Sequence, residues 1–236
     1  MNEPLVLLPD IMCDARVFGP QLAAFSKDHA ITVAPITGGD RIEEIASNLL
    51  DVLPRRFALA GLALGASAAM EIVRRAPDRV TRIALMCASA FAETPQSAAD
   101  LEPIIMKARA GNLAAFAEGI LPFDALAPGP QRGEVIALVQ DMAEHLGSDA
   151  IVRQARAIQR RRDYQAVLRK IKMPALVLCG GQDGSAAVKR HKFLADLIPY
   201  AELSVIEGAG RLPTLEQPDA TTDALMTWMK QPLILR

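Results

Sequence analysis

The stretch Phe57-Ala58-Leu59-Ala60-Gly61-Leu62-Ala63-Leu64-Gly65-Ala66 joins a fully apolar run to a Gly-x-Ala-x-Gly turn. The run Phe57–Ala60 is typical of a strand buried on both faces, and Ala66–Ala76 has helical spacing. Glycines on both sides of a sharp strand-to-helix turn avoid clashes with neighbouring chain, while the middle residue is held in a strained conformation. The pattern therefore predicts such a turn, with Ala63 at its centre.

Short apolar runs that end in turn residues recur along the chain, and most are followed by a segment with helical spacing. The predicted strands are Leu5–Leu8, Ile31–Pro35, Phe57–Ala60, Arg82–Cys87, Ala175–Cys179 and Leu203–Ile206. The predicted helices are Arg16–Lys27, Arg41–Leu53, Ala66–Ala76, Val188–Leu197 and Pro218–Lys230. Apolar strands that alternate with helices indicate a mostly parallel sheet flanked by helices, which is an α/β fold.

The alternation stops between Cys87 and Ala175, where only helical patterns occur. A segment of this length is too long for a loop, so we predict a helical cap insertion at 92–170 between two parts of one core domain, 1–91 and 171–236. The end of the insertion, Val152–Lys172, is strongly basic. A solvated helix face is the favoured interpretation of these charges, and an anion-steering patch is the alternative.

Composition excludes several classes of protein. The 236 residues are 51% hydrophobic, and 26 Lys and Arg stand against 27 Asp and Glu, so nothing indicates disorder or a nucleic-acid partner. Three scattered cysteines fit a reducing compartment, and the start of the chain does not resemble a signal peptide. No apolar stretch reaches the roughly 18 residues of a membrane span. We therefore expect a soluble, cytoplasmic protein without membrane or nucleic-acid partners.

Several segments together resemble the α/β-hydrolase superfamily, and they occur in the order of that fold. The segments are Leu7–Arg16, the turn and helix Gly61–Val80, Pro174–Asp183, Val205–Gly210 and Leu215–Pro218. The resemblance covers nearly the whole core. Within the superfamily, the sequence is most similar to small esterases, lactonases and carbon–carbon hydrolases. It implies that the central turn is a nucleophile elbow, that the first run is the third strand of the usual fold, and that the first hairpin is lacking.

In that superfamily, a nucleophile in the elbow works with an acid and a histidine that follow later strands. The resemblance places Ala63 at the nucleophile position, Asp183 at the acid position and Arg211 at the histidine position. Alanine has no attacking atom, and an arginine stays protonated and cannot serve as a general base. Two of the three groups are therefore absent.

The oxyanion hole uses backbone N–H groups, which a change of side chain does not remove. The resemblance assigns them to Leu64 and Ile11, so the hole is expected to remain as a polar anchor for a carbonyl or carboxylate. Asp10 stands where a glycine is common in the family, which leaves the conformation of this loop open.

The combined change at Ala63 and Arg211 favours natural divergence over a deliberately inactivated variant. Asp183 and Arg211 are chemically matched, and a bidentate ion pair could replace the Asp–His hydrogen bond. The alternative is that Arg211 turns to solvent.

Further pocket candidates are Asp10, Cys13, Cys87 and His145. A cysteine paired with His145 is the alternative for a relocated nucleophile, although buried thiols are more often inert. His29 and His191 are placed on or near outer helices. The acidic residues do not have the spacing of metal ligands, so we predict no metal site. The glycine turns do not have the spacing of a nucleotide-binding loop, so we predict no cofactor.

These features predict an α/β-hydrolase-like protein that has lost its serine and histidine. It would bind a small apolar or carboxylate-bearing molecule, or perform chemistry other than hydrolysis. The alternatives are an active ester, lactone or carbon–carbon hydrolase with a relocated nucleophile, and an inactivated variant of such a hydrolase. The oligomeric state stays open.

Overall fold

A computed structural model describes residues 3–184 and 186–233 and shows one six-stranded sheet. All pairings are parallel, in the order β2-β1-β3-β4-β5-β6. The strands are β1 Leu5–Leu8, β2 Ile31–Val33, β3 Phe57–Leu62, β4 Val80–Met86, β5 Ala175–Gly180 and β6 Ala201–Ile206. The predicted α/β class is confirmed.

Eleven α-helices connect and cover these strands within the described residues. They are α1 Gly19–Phe25, α2 Ile42–Val52, α3 Leu64–Arg75, α4 Pro95–Arg109, α5 Leu113–Ile120, α6 Arg132–Leu146, α7 Ser148–Gln159, α8 Gln165–Leu168, α9 Ala187–Leu197, α10 Pro213–Glu216 and α11 Pro218–Lys230. Helices α1 and α11 pack together, as do α2 and α3. The crossover from β1 runs to one side along the sheet, and the crossover from β2 runs to the other side. Because parallel crossovers are right-handed, helices α1 and α2 therefore cover opposite faces of the sheet.

Element ends differ from the prediction where glycine or proline decides them. The first predicted helix is divided into a 3-10 turn at Ala15–Phe18 and helix α1, which begins at Gly19 with Pro20 in its first turn. Proline fits that place because the first N–H groups of a helix have no intrahelical partner. Helix α3 already begins at Leu64 and therefore includes Gly65.

The basic stretch near the end of the α4–α8 segment is not simply a solvated face. Arg156 and Arg161 are only 14% exposed in their side chains and pair with Glu102 and Glu93. Arg160 pairs with Asp40, in the segment between β2 and α2. These pairs attach the inserted helices to each other and to the core.

The strand order reverses at β1, which lies between β2 and β3. In open parallel sheets, ligands bind beyond the carboxyl ends of the strands at such a reversal. Asp10 follows β1 and Ala63 follows β3 at this place. The fold therefore brings the residues singled out in the sequence to the edge where a ligand site is expected.

Candidate functional site

The turn between β3 and α3 has the backbone of a strained elbow. Ala63 adopts φ 44° and ψ −97°, a conformation that side-chain-bearing residues rarely adopt. A Cβ atom on Gly65 would lie 2.2 Å from the carbonyl oxygen of Leu8, and one on Gly61 would lie 2.4 Å from that of Gly65. The glycines are required because backbone atoms occupy the space of a side chain.

The two N–H groups predicted for the oxyanion hole are already bonded to the protein's own carboxylate. Oδ1 of Asp10 accepts a hydrogen bond of 3.0 Å from the N–H of Leu64 and one of 2.7 Å from the N–H of Ile11. Leu64 begins α3, so the carboxylate also lies at the positive end of a helix dipole. In this conformation the predicted anchor is not free for a ligand; Asp10 fills it.

Asp10 is buried, with 6% of its surface exposed. Burial raises the pKa of its carboxyl, opposed by the charge of Arg211 and by the two N–H donors. Its second oxygen, Oδ2, accepts no hydrogen bond from the residues that the structure describes.

The turn after β6 is held in place by a buried glutamate. One oxygen of Glu216 accepts from the N–H groups of Gly210 at 2.9 Å and Ala127 at 2.6 Å, and the other from Leu212 at 2.8 Å. The sequence analysis did not identify this residue. Its role depends on a contact with Ala127, which is distant in sequence.

Arg211 lies in this turn, and neither predicted orientation is found. Its N–H donates to the carbonyl of Ala125 at 2.9 Å, and Nη1 makes a long 3.4 Å contact with that of Ile120. Within the described part of the chain, its guanidinium forms no ion pair, so the predicted bidentate pair with Asp183 is wrong. The side chain is half-buried and faces a cavity instead of turning away into solvent.

This cavity has a volume of about 300 Å³ and brings together residues from the ends of several strands. Its polar and charged lining is Asp10, Cys87, Ser89, Glu93, Arg161, Asp183, Arg190, His191 and Arg211. Ala63 and Leu64 form part of its wall, and Ile158 reaches it from α7. A larger groove of about 980 Å³ lies at the opposite edge of the sheet and contains none of the predicted site residues.

Asp183 lines the cavity, and burial raises the pKa of its carboxyl, while Arg211 and His191 act in the opposite direction. Its side chain accepts no hydrogen bond from any described residue. The carboxyl that the sequence analysis predicts as the acid is therefore in the cavity, and no described base is hydrogen-bonded to it.

The predicted thiols and His145 do not form a catalytic pair. Burial raises the pKa of Cys87 and of Cys13 well above the usual value, so both thiols stay protonated. Cys87 lines the cavity, whereas Cys13 lines a narrow cleft beside Asp10. His145 is exposed and contacts Asp141 on its own helix.

His191 lies on the flanking helix α9, as predicted, but its side chain is buried and lines the cavity, which the sequence analysis did not expect. It is 2% exposed, lines the cavity, and has its Nδ1 2.8 Å from the carbonyl oxygen of Ala187. Nε2 is buried and has no hydrogen-bond partner among the described residues, and burial lowers the pKa of the ring. The buried stripe Ala187, His191, Leu194 and Ala195 has helical spacing, a signal that could have revealed this placement.

Two further features bear on binding. No group of three or more His, Cys, Asp or Glu side chains within residues 3–184 and 186–233 is arranged to hold a metal ion. Over the same ranges, no helix is both long enough and apolar enough to cross a membrane.

Comparison with known proteins relates this architecture to a family of enzymes. The chain is 24% identical over 249 residues to a pimeloyl-[acyl-carrier protein] methyl ester esterase of Vibrio atlanticus, with 96% of this chain and 94% of that protein covered. Its structure is similar to that of a thermophilic esterase from Thermogutta terrifontis, at a TM-score of 0.84 and 22% identity, covering 98% of this chain and 90% of the other.

It is also similar to the enol-lactonase from Burkholderia xenovorans, with a TM-score of 0.82 and 25% identity over 98% of this chain and 93% of the other. The model of the alpha/beta hydrolase family matches residues 11–224. With the elbow, the parallel sheet and the family match in agreement, this chain belongs to the alpha/beta hydrolase family.

Proposed function

We propose that this protein is a non-hydrolysing member of the family that binds a small carboxylate-bearing molecule in the 300 Å³ cavity. The observation that carries the proposal is the Asp10 carboxylate on the N–H groups of Leu64 and Ile11. An ester carbonyl would need these same donors to stabilise the negative charge of a tetrahedral intermediate. Asp10 instead satisfies them and adds a carboxylate where that charge would develop.

The residues at the family's reactive positions support the same conclusion. Ala63 has the strained elbow backbone but no attacking atom. Arg211 is a permanent cation and cannot accept a proton from a nucleophile. The nearby thiol of Cys87 is protonated because burial raises its pKa.

The cavity is lined by three carboxyl and three guanidinium side chains, and two of the guanidinium groups support an anionic ligand. Arg161 is paired with Glu93, whereas Arg211 and Arg190 line the cavity without an ion pair from the described residues. A guanidinium can bind a carboxylate through two parallel hydrogen bonds. We further propose that the insertion at 92–170 acts as a cap, since Ile158 and Arg161 belong to the wall of this cavity.

An esterase assay tests the first half of the proposal. The purified protein is expected to hydrolyse p-nitrophenyl acetate no faster than buffer, because it has neither a nucleophile nor a free oxyanion hole. Clear turnover would contradict the proposal. If Cys87→Ser abolished that turnover, the protein would be an active hydrolase with a relocated nucleophile.

Titration calorimetry with butyrate tests the second half. We expect measurable binding that Arg211→Met weakens about tenfold, because a charge-assisted hydrogen bond contributes about 1.5–3 kcal/mol. Arg55→Met is the matched control, since Arg55 is exposed and does not line the cavity. Absence of binding, or equal loss in both variants, would refute the assignment.

A further inference from the structure

A second concave surface, which we name the amino-edge groove, lies where the strands β3, β4 and β5 begin. It is lined by Arg56, by residues within 73–81 and 166–174, and by Leu233, and it has a volume of about 980 Å³. Sites for small molecules occupy about 300–1,000 Å³, so this groove is large for such a ligand. It has room for a segment of another chain.

The side chains of this groove carry an excess of positive charge. Its described lining contains four cations, Arg56, Arg74, Lys170 and Lys172, and one carboxylate, that of Asp78. Arg56, Lys170 and Lys172 are exposed. Within the described part of the chain, none of these three forms an ion pair.

The fourth cation, Arg74, is only partly neutralised. It pairs with Glu71, but the same carboxylate also pairs with Arg75. One negative charge is therefore shared by two guanidinium groups, and a positive charge remains. The whole chain has 26 Lys and Arg against 27 Asp and Glu, so the excess is a local property of this surface.

The amino-edge groove also presents apolar surface. Leu233 is 44% exposed, Val167 and Met173 are half-buried, and Val73 and Val80 contribute to the lining. Apolar surface rimmed by charged side chains is typical of an interaction site. A well-matched occupant therefore supplies apolar side chains as well as negative charge.

We propose that the amino-edge groove binds a segment of a partner protein that contains both acidic and apolar residues. Cations from separate segments of the chain match an occupant with several negative charges, which a fatty acid does not have. Clusters of basic side chains are a recurring means of binding acidic motifs. Lys170 and Lys172 end the basic stretch Val152–Lys172, so the proposal gives its last residues a role in attracting anions.

Fluorescence polarisation with defined peptides tests this proposal. The probe is a labelled heptapeptide of alternating glutamate and leucine. Two comparison peptides replace every glutamate by glutamine or every leucine by serine. We expect the glutamate–leucine peptide to bind at least tenfold more tightly than either of them. Its binding should weaken as the salt concentration rises from about 50 to about 300 mM, because salt screens exposed charges.

Substitutions of exposed residues locate the binding. Lys170→Gln combined with Lys172→Gln should weaken binding of the probe about fivefold, since two exposed ion pairs are lost. The matched control combines Lys27→Gln with Lys107→Gln, which removes two exposed lysines outside the groove and should change binding less than twofold. Ala166→Glu adds a carboxylate to the lining and should also weaken binding.

Four results would assign the groove to a different occupant and overturn the proposal. The glutamate–serine peptide binding equally well would indicate attraction of any polyanion. Laurate displacing the probe and binding more tightly would indicate an amphiphilic anion. Binding of the probe only after deletion of residues 234–236 would indicate the end of this chain. A dimer that the double substitution of Lys170 and Lys172 dissociates in sedimentation would indicate a second copy.

Absence of binding, or an equal loss in the two pairs of lysine substitutions, would also contradict the proposal. The amino-edge groove shares no lining residue with the 300 Å³ cavity. The peptide assay is therefore independent of the binding of butyrate, and either proposal can fail without the other.

Discussion

Two turns face the cavity, and they differ in how their polar groups are satisfied. At the elbow, the N–H of Leu64 is bonded to the carboxylate of Asp10. At the turn after β6, the backbone is equally well fixed by Glu216, but the one hydrogen bond of the Arg211 guanidinium to a described residue is a long contact with a carbonyl. The elbow is closed by the protein itself, whereas the opposite wall presents groups that a ligand could satisfy.

In the function proposed above, the elbow keeps its backbone architecture without the hydrolytic chemistry. The elbow retains its close-packed glycines and the left-handed residue at its centre. At the centre of the turn they position the methyl group of Ala63. The architecture persists because β1, β3 and α3 are packed through it, independently of any reaction.

The largest effect is expected from filling the space at the elbow. Gly65→Ala places a methyl group 2.2 Å from the carbonyl oxygen of Leu8, so β1 and α3 must separate. We expect a loss of about 3–5 kcal/mol in the free energy of unfolding, measured by urea denaturation. Gly133→Ala is the matched control in α6, where the new methyl group meets no atom and should stabilise by about 0.5–1 kcal/mol. Similar effects of the two substitutions would show that the elbow is not closely packed.

A smaller loss in the free energy of unfolding is expected from a substitution in the turn after β6. Glu216→Gln replaces one carboxylate oxygen by an NH₂ group, which then faces a backbone N–H of Gly210 or Leu212. Leaving such a donor unsatisfied costs about 1–3 kcal/mol. Exposed Glu118 provides the control, since Glu118→Gln should be nearly neutral in the same denaturation experiment. If Glu216→Gln were equally neutral, the fixed turn would not depend on the carboxylate.

The smallest expected change in the free energy of unfolding is a gain, and it comes from the centre of the elbow. Ala63→Gly removes the side chain from a residue at φ 44° and should stabilise the protein by about 1 kcal/mol. The same exchange at exposed Ala137, in the middle of α6, should destabilise by about 1 kcal/mol. Thermal unfolding monitored by circular dichroism measures both. A loss of stability at both positions would mean that the elbow stores no strain.

The fold could be predicted because its signals are local. Strands such as β3 are apolar throughout since both faces are covered, and Gly61 and Gly65 mark the turn that follows. Asp10 and Ala63 follow β1 and β3, which are neighbouring parallel strands, so the topology places both residues at one edge of the sheet.

The side-chain arrangement of the site could not be predicted in the same way. Topology brings Asp183 and Arg211 near each other, but Arg211 is drawn to carbonyl groups of Ile120 and Ala125, whose positions the insertion determines. The bond between Asp10 and Leu64 joins residues that are distant in sequence and depends on one side-chain rotamer. His191 was within reach of prediction, since its helical stripe is visible in the sequence.

The central claim is that the Asp10 carboxylate occupies the oxyanion hole, and proton NMR of the backbone amides tests it most directly. Burial raises the pKa of Asp10 above its usual 3.8, so the carboxylate is protonated and its hydrogen bonds weaken as the pH falls towards that raised value. We predict that the amide resonances of Ile11 and Leu64 titrate together with one midpoint above 3.8, and that Asp10→Asn abolishes this titration. The amide of Ala115, bonded to the neutral side chain of Asn112, is the control and should show no such titration. Amides of Ile11 and Leu64 that do not titrate, or that titrate with separate midpoints, would contradict the account.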